Sequence, residues 1–403
     1  MNKNIKLAVA GAVLALSASA NAGIIIPAGD WTVDINGNVN AYVTHTRGKD
    51  AETCEAGLAT FGCLANTRSG GEKDHNAIGT GLLPAWLGVT GTTRQNDTDV
   101  SFSMSMQPNV SDNSIAGDAK TPLFRTAYLT FGDKSWGTIK LGKDIGIFGS
   151  QAILNDMTLL GVGGQVTALS GTSTTLGGIG TGYIYAAWKG QATYTTPNFN
   201  GFQVTLGLTN PNQGLGSTGV TNSTASLAQD RLGMEGQASY SFSADNVSGK
   251  VWLSGATYKV KPTAAIEYTA DVVDVGANFN AGNIGITGYY YKGEGVGTTM
   301  MHNAAASTTG NKRDSDGGYL QATYVLPTKT KVGFAYGVSK LDLATGETLS
   351  TLVKENKRIT LGAYHPLTKH LNLVAELNQI ESESHLGRKN TSDSLSLGAI
   401  LFF

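Results

Sequence analysis

The sequence predicts an all-β fold, a membrane-spanning antiparallel barrel of 16 strands, and three observations carry that expectation. Charged residues make up 15% of the chain and Gly numbers 53 against Pro 9, whereas globular proteins carry about 25% charged residues. The chain is rich in Gly, Thr, Ser and Tyr, and such a composition favours strands whose side chains alternate between two environments. Apolar residues recur with period two rather than 3.6. The connections between the alternating segments are short and long in turn, as in up-and-down barrels.

The first 22 residues stand apart, with Lys3 and Lys6, an apolar stretch Leu7 to Leu16, and small residues at Ala20 and Ala22. This is the pattern of a secretory signal cleaved after Ala22. The apolar core is shorter than the ~20 residues a spanning helix needs. Residues 23–403 are then one barrel domain. Removing Lys3 and Lys6 from the 29 basic residues leaves 27 against 30 acidic, a net charge near −3. No basic footprint for nucleic acid is present.

The first strand is expected from Trp31, where Val33, Ile35, Val39, Ala41 and Val43 share one register and Thr32, Asp34, Asn36, Asn38 and Asn40 the other. Val100, Phe102, Met104 and Met106 alternate with Ser101, Ser103, Ser105 and Gln107 in the same way. About sixteen such segments follow, centred near residues 38, 88, 103, 127, 140, 190, 206, 237, 254, 274, 288, 322, 335, 361, 375 and 398. Most approach the ~10 residues of a tilted membrane strand. RQND, GDKS, PNFN, ADNVS, NAGN, LPTK and HPLTKH read as tight turns, and the stretches between the other strand pairs are long, except near 261–267. A β-sandwich also alternates, but has no reason to keep one side polar through so many strands with alternating loop lengths. Trp31, Phe131, Trp136, Phe199 and Phe202 lie near strand ends, as an interfacial girdle would.

Cys54 and Cys63 bracket one hydrophilic segment, and export to an oxidising compartment favours a small loop disulfide over two free thiols or a metal site. Gly214 to Gly219 satisfies G-x-G-x-x-G, but no βαβ unit surrounds it. No nucleophile-elbow, zinc-protease or P-loop motif occurs, and the six histidines fall mostly in or beside loops. A barrel-rim hydrolase could be imagined at His75 with Asp74 or His385 with Glu383, but adjacent charges in exposed loops are usually only solvated. No catalytic residue, cofactor or metal is expected.

Phe124 to Asp144, FRTAYLTFGDKSWGTIKLGKD, resembles the strand, turn and strand preceding the constriction loop of the general Gram-negative porins. Lys189 to Phe202, Gly288 to Thr299, Tyr324 to Gly337 and Leu361 to Asn378 are similar to later parts of that family, in the same order. The resemblance implies a homotrimeric outer-membrane channel, embedded in lipid and lipopolysaccharide, that passes ions and small hydrophilic solutes by diffusion. It also implies that the third long loop, here about Asp144 to Tyr183, folds into the lumen opposite basic wall residues. Sixteen strands are themselves enough to leave a hydrated interior.

The constriction expected on this basis comprises Arg125, Lys140, Lys189, Asp144, Asp156 and Trp86. Asp144 and Asp156 are the only acids of the loop, so the transverse field should be mild. Arg125 shares parity with Leu123, Ala127 and Leu129; an inward Arg125 therefore needs a bulge nearby, whereas on the lipid face it would cost about 2–4 kcal/mol. Trp86 stands where the family carries an Arg, and either lines the pore or belongs to a lipid-facing girdle. Arg231 and Lys331 are the further inner cations, against Asp99, Glu235, Asp274 and Glu376, a near balance that predicts modest ion selectivity of undetermined sign. Phe148, Tyr183, Tyr185 and Trp188 could instead form a stacking path for sugars or aromatic acids. The final stretch SDSLSLGAILFF is the strand that closes the barrel on Trp31 to Thr46. Its Phe403 resembles the aromatic ending read by the barrel-assembly machinery.

Overall fold

The computed structural model describes residues 23–50, 62–65, 73–108, 123–164, 174–211, 231–263 and 266–403. The strands are β1 (Ile24–Ala28), β2 (Trp31–Gly48), β3 (Asp74–Gly79), β4 (Trp86–Gln95), β5 (Thr98–Gln107), β6 (Leu123–Asp133), β7 (Gly137–Ile145), β8 (Trp188–Thr195) and β9 (Phe202–Thr209). They continue as β10 (Gly233–Ala244), β11 (Val247–Thr263), β12 (Ile266–Ala281), β13 (Ile284–Glu294), β14 (Asp314–Val325), β15 (Lys331–Leu341), β16 (Val353–Pro366), β17 (Leu371–Ser384) and β18 (Lys389–Phe402). One short helix, α1 (Ser150–Asn155), and a 3₁₀ turn at Met157–Leu160 interrupt the pattern.

From β4 to β18 each strand pairs antiparallel with the next, and β18 pairs with β2 to close a 16-stranded barrel. Eighteen segments fit into that barrel because two columns are each shared by two pieces. β3 and β4 both lie along β2, separated by residues 80–85. β1 lies along β2 in the column of β18: Phe402 faces Asn38, while Ile24 faces Ile35. The expected closure is therefore corrected in one respect. β18 covers Asn38 to Gly48, and Trp31 to Ile35 is covered by β1, a strand with too short an apolar run, Ile24 to Ile26, to stand out.

The two faces follow the sequence alternation. In β18, Leu397 is 51% exposed on the outer face and Ser396 is 0% exposed on the inner. Met104, Leu206, Val273 and Leu320 repeat the outward apolar row. Only lipid makes such a band favourable on a chain of this size. Tight turns hold one end; Asn96 and Asp97 both adopt positive φ, 47° and 57°, so β4 and β5 meet in a two-residue hairpin. Trp31, Phe131, Trp136, Phe199 and Phe202 all cluster at this short-turn end, where Trp31 packs on Phe102 and Phe131 on Trp136.

The signal-like residues 1–22 and Cys54 lie outside the described residues. Cys63 is disulfide-bonded.

Candidate functional site

The interior is dominated by the segment joining β7 to β8. Its backbone N–H groups need acceptors once withdrawn from water, and the inner rows of distant strands supply them. Glu235 on β10 accepts from Ile147 (2.6 Å) and Phe148 (2.9 Å). Asp274 on β12 accepts from Gly149 at 3.3 Å, and Gln321 on β14 from Met157 at 2.9 Å. Ser339 on β15 accepts from Gly182 at 2.8 Å. Glu376 on β17 accepts from Val162 (2.9 Å) and Gly163 (2.7 Å), and Tyr42 on β2 donates to the Leu160 carbonyl at 2.7 Å. The segment thus touches the inner face from β10 round to β2.

Glycines on both the wall and the segment allow the close approach. A Cβ at Gly337 would lie 2.0 Å from the Thr181 carbonyl oxygen, and one at Gly161 would lie 2.0 Å from Glu376 Oε1. Two further pieces pack beside it. Leu64 and Ala65 donate to Ser382 Oγ, each at 2.9 Å, and Tyr185 donates to Thr299 of the β13–β14 connection at 2.9 Å. His302 of that connection is buried, bonds the Pro211 carbonyl at 2.9 Å and stands edge-on to Tyr258.

Several expected constriction charges have a different task here. Lys189 is inward, but its side chain is wholly buried in an ion pair with Glu235 at 2.7 Å, which also accepts from Tyr258 at 2.7 Å. Asp156 holds the long segment to itself: it accepts from Thr158 and Gly178, both at 2.9 Å, and from Tyr183 at 2.8 Å, with Arg358 at 3.6 Å. Burial, then the adjacent Asp156, pushes the Tyr183 hydroxyl well above the usual phenol range. Asp274 and Glu376 are likewise inward but committed, the former to Ser254 and Tyr289 and the latter to Tyr364 at 2.6 Å. Asp144 pairs with Lys140 at 2.5 Å. Asp99 shares the inner parity but sits at a tight turn, paired to Arg94 at 2.8 Å, and Arg231 is exposed ahead of β10. Sequence parity assigned most of these faces correctly; it could not show which charges the folded segment would occupy.

Arg125 follows the bulge that an inward position required. The β5–β6 register shifts between Met104 and Met106, and the guanidinium lies 5.9 Å from the Trp188 ring centroid. Trp86 faces Asn38 across the sheet, on the interior row, while its neighbour Leu87 is exposed on the outer face. The girdle alternative for Trp86 is thereby corrected. Phe148 and Tyr183, residues of the segment itself, are fully buried, and only Tyr185 and Trp188 of the expected stacking path remain half-buried. Phe403 exchanges backbone hydrogen bonds with Gly37, at 2.8 and 3.1 Å.

The histidine pairings also resolve. His385 bonds the Leu341 carbonyl at 2.9 Å while Glu383 pairs with Lys354 at 3.1 Å and Lys389 at 3.1 Å. Asp74 lies 3.8 Å from both Arg47 and His45. Sequence reasoning missed Lys250, an inner-row cation of β11 beside Asn278. Its signal was its parity with Trp252 and Ser254.

No curated protein matches the sequence. Solved structures do. The anion-selective porin from Comamonas acidovorans aligns with TM-score 0.61 and 15% identity, covering 93% of this chain and 100% of its own. The outer membrane channel DcaP of Acinetobacter baumannii aligns with TM-score 0.66 and 16% identity, over 95% and 100%. OmpF of Salmonella typhi, solved with daunomycin, gives 0.59 and 14%, over 94% and 100%. A trimer form of OmpT from Vibrio cholerae gives 0.53 and 14%, over 93% and 99%. At these identities the likeness is one of fold. The family model of Gram-negative porins, however, matches residues 7–385, and the chain belongs to that family.

Proposed function

We propose that this outer-membrane channel is a general one, passing ions and small hydrophilic solutes by passive diffusion with a weak lean toward anions. The observation behind the lean is the division of inner charges. Glu235, Asp274, Glu376 and Asp156 are occupied by the β7–β8 segment, whereas Arg125, Lys250 and Lys331 form no ion pair among the described residues. Asp34 on β2 is an acid without a bonded partner, which keeps the lean small. Charges left free in a confined passage raise the local concentration of their counter-ions. An anion-selective relative of the same fold is consistent with this reading.

A solute-stacking channel is less well supported, because the Phe148 and Tyr183 rings are fully buried. A barrel enzyme is less well supported, because His385 bonds the Leu341 carbonyl while Glu383 pairs with two lysines, and Asp74 lies against Arg47 and His45. Homotrimer formation is in keeping with the trimeric relative. The exposed apolar band suits lipid, with lipopolysaccharide at the long-loop rim, and Phe403 suits recognition by the assembly machinery.

Two measurements test the proposal. Liposome swelling with sugars of graded size should depend on size alone, and saturable uptake of one sugar class would refute a general pore. In a tenfold KCl gradient, the reversal potential should sit modestly toward the chloride side; a potential on the potassium side would refute the lean.

A further inference from the structure

Lys250 lines a cavity of about 300 Å³ between α1 and the walls of β11 and β12, together with Gln151, Leu154, Asn155, Ser248, Asn278 and Asn280. Its cross-strand neighbours are Ser241 and Asn278. Of the other inner cations, Lys140, Lys189 and Arg358 pair with Asp144, Glu235 and Asp156, and Arg125 and Lys331 lie over the rings of Trp188 and Tyr364. Among the described residues Lys250 has no such partner. A half-buried ammonium with no fixed partner draws its counter-ion from the mobile ions of the lumen.

The side-chain amides around it are already engaged, which leaves the ammonium as the cavity's free donor. The amide of Asn280 is spent on Asn278 Oδ1 (2.6 Å), that of Asn278 on Thr287 Oγ1 (2.8 Å) and that of Asn155 on the Gln151 carbonyl (2.8 Å). No carboxylate lines the cavity. A site whose free donor is an ammonium, with no acid among its described lining residues, suits an acceptor-only ligand.

We propose that this cavity is a transient binding station for small oxyanions, a carboxylate or phosphate group, with Lys250 as the principal contact. The station rests on the diffusion-channel reading and deepens it: oxyanions would cross with saturable rather than linear flux.

The test uses the full-length channel in planar bilayers, with a fixed KCl current and sodium acetate or sodium phosphate added from the short-turn side. Wild type should show a saturable fall in current with both probes, and none with glycerol. Lys250→Gln should weaken that block at least about tenfold, the worth of one charge-assisted contact. Lys250→Arg should retain it, as should Lys329→Gln at a tight turn. Heat-modifiable gel mobility establishes that each variant is folded. Block by phosphate alone still supports an oxyanion station, one that favours the higher charge. A Lys250→Gln block equal to wild type, or a conducting wild type with no block, overturns the station. A wild type that does not conduct at all overturns the channel reading itself.

Discussion

Glu376 offers the sharpest test of how the lumen is built. Its carboxylate accepts from Val162 at 2.9 Å, Gly163 at 2.7 Å and Tyr364 at 2.6 Å, so Glu376→Leu strands three donors at once. A hydrogen bond to a charged group contributes about 1.5–3 kcal/mol. Full additivity would give about 5–9 kcal/mol, but water in the lumen can re-solvate the two freed amides, so a loss of about 3 kcal/mol in anchoring is the working figure. That lowers the anchored-to-released ratio of this end of the segment roughly 100-fold. The strand ladder on both sides of Glu376 is untouched, with Gly362 and Ser396 as its neighbours, so the barrel itself should melt within a few degrees of wild type. Single-channel recordings should show new flicker and a broadened conductance distribution, and a protease should cut residues 161–164 faster. Glu376→Gln, which keeps one acceptor oxygen, should fall between. Quiet, wild-type-like channels in Glu376→Leu would refute the idea that wall carboxylates hold the segment in place.

Three further outcomes follow from the same geometry. Gly337→Ala, whose Cβ would meet the Thr181 carbonyl at 2.0 Å, should displace the segment from the wall and change conductance without altering the yield of folded barrel; unchanged conductance would show that the contact yields easily. Burial, aided by the nearby Lys189 charge, lowers the His302 pKa to about 4, against roughly 6.5 when unfolded. Between those values the unfolded connection takes up a proton that the folded one refuses, so about 3 kcal/mol of local stability is present above pH ~6.5 and is lost as pH falls toward 4. The protection of residues 295–307, taken as the exchange rate relative to that of an unstructured peptide at the same pH, should therefore fall on acidification, and a pH-independent protection factor, or one unaltered by His302→Asn, would sink this account. Deleting Phe403 removes two backbone hydrogen bonds with Gly37 and should reduce insertion more than conductance; normal yields of folded barrel would contradict that role.

Legibility in the sequence tracked the range of the physics. Period-two alternation is local, so Val39 and Asn38, or Leu397 and Ser396, declared their faces directly, and every strand centre expected from it falls within a strand. The bulge at Met104 to Met106 was inferable because Arg125 would otherwise face lipid. What escaped depended on contacts far apart in the chain. Glu235 is 88 residues from Ile147, and Glu376 is 214 from Val162, and nothing local marks either as an acceptor for that segment. Lys189 looked like a pore charge because its neighbours Gln191 and Thr193 are polar; its burial with Glu235 depends on where the segment settles. β3 and β4 were read as loop plus strand because residues 80–85 divide one column into two short pieces.

The column shared by β18 and β1 makes this chain almost a ring. Phe402 lies opposite Asn38 and Phe403 is bonded to Gly37, while Ile24 lies opposite Ile35, running in the same direction. Only the place opposite Asn36 separates them, and Gly23 is the residue that precedes Ile24. In a chain begun at Gly23, a peptide bond from Phe403 to Gly23 would therefore join two ends already in register, turning the seam into an uninterrupted strand. The barrel can then be cut open at any tight turn instead, and permutants that begin at Asn283 or Thr328 would carry their termini there while keeping the same closed wall.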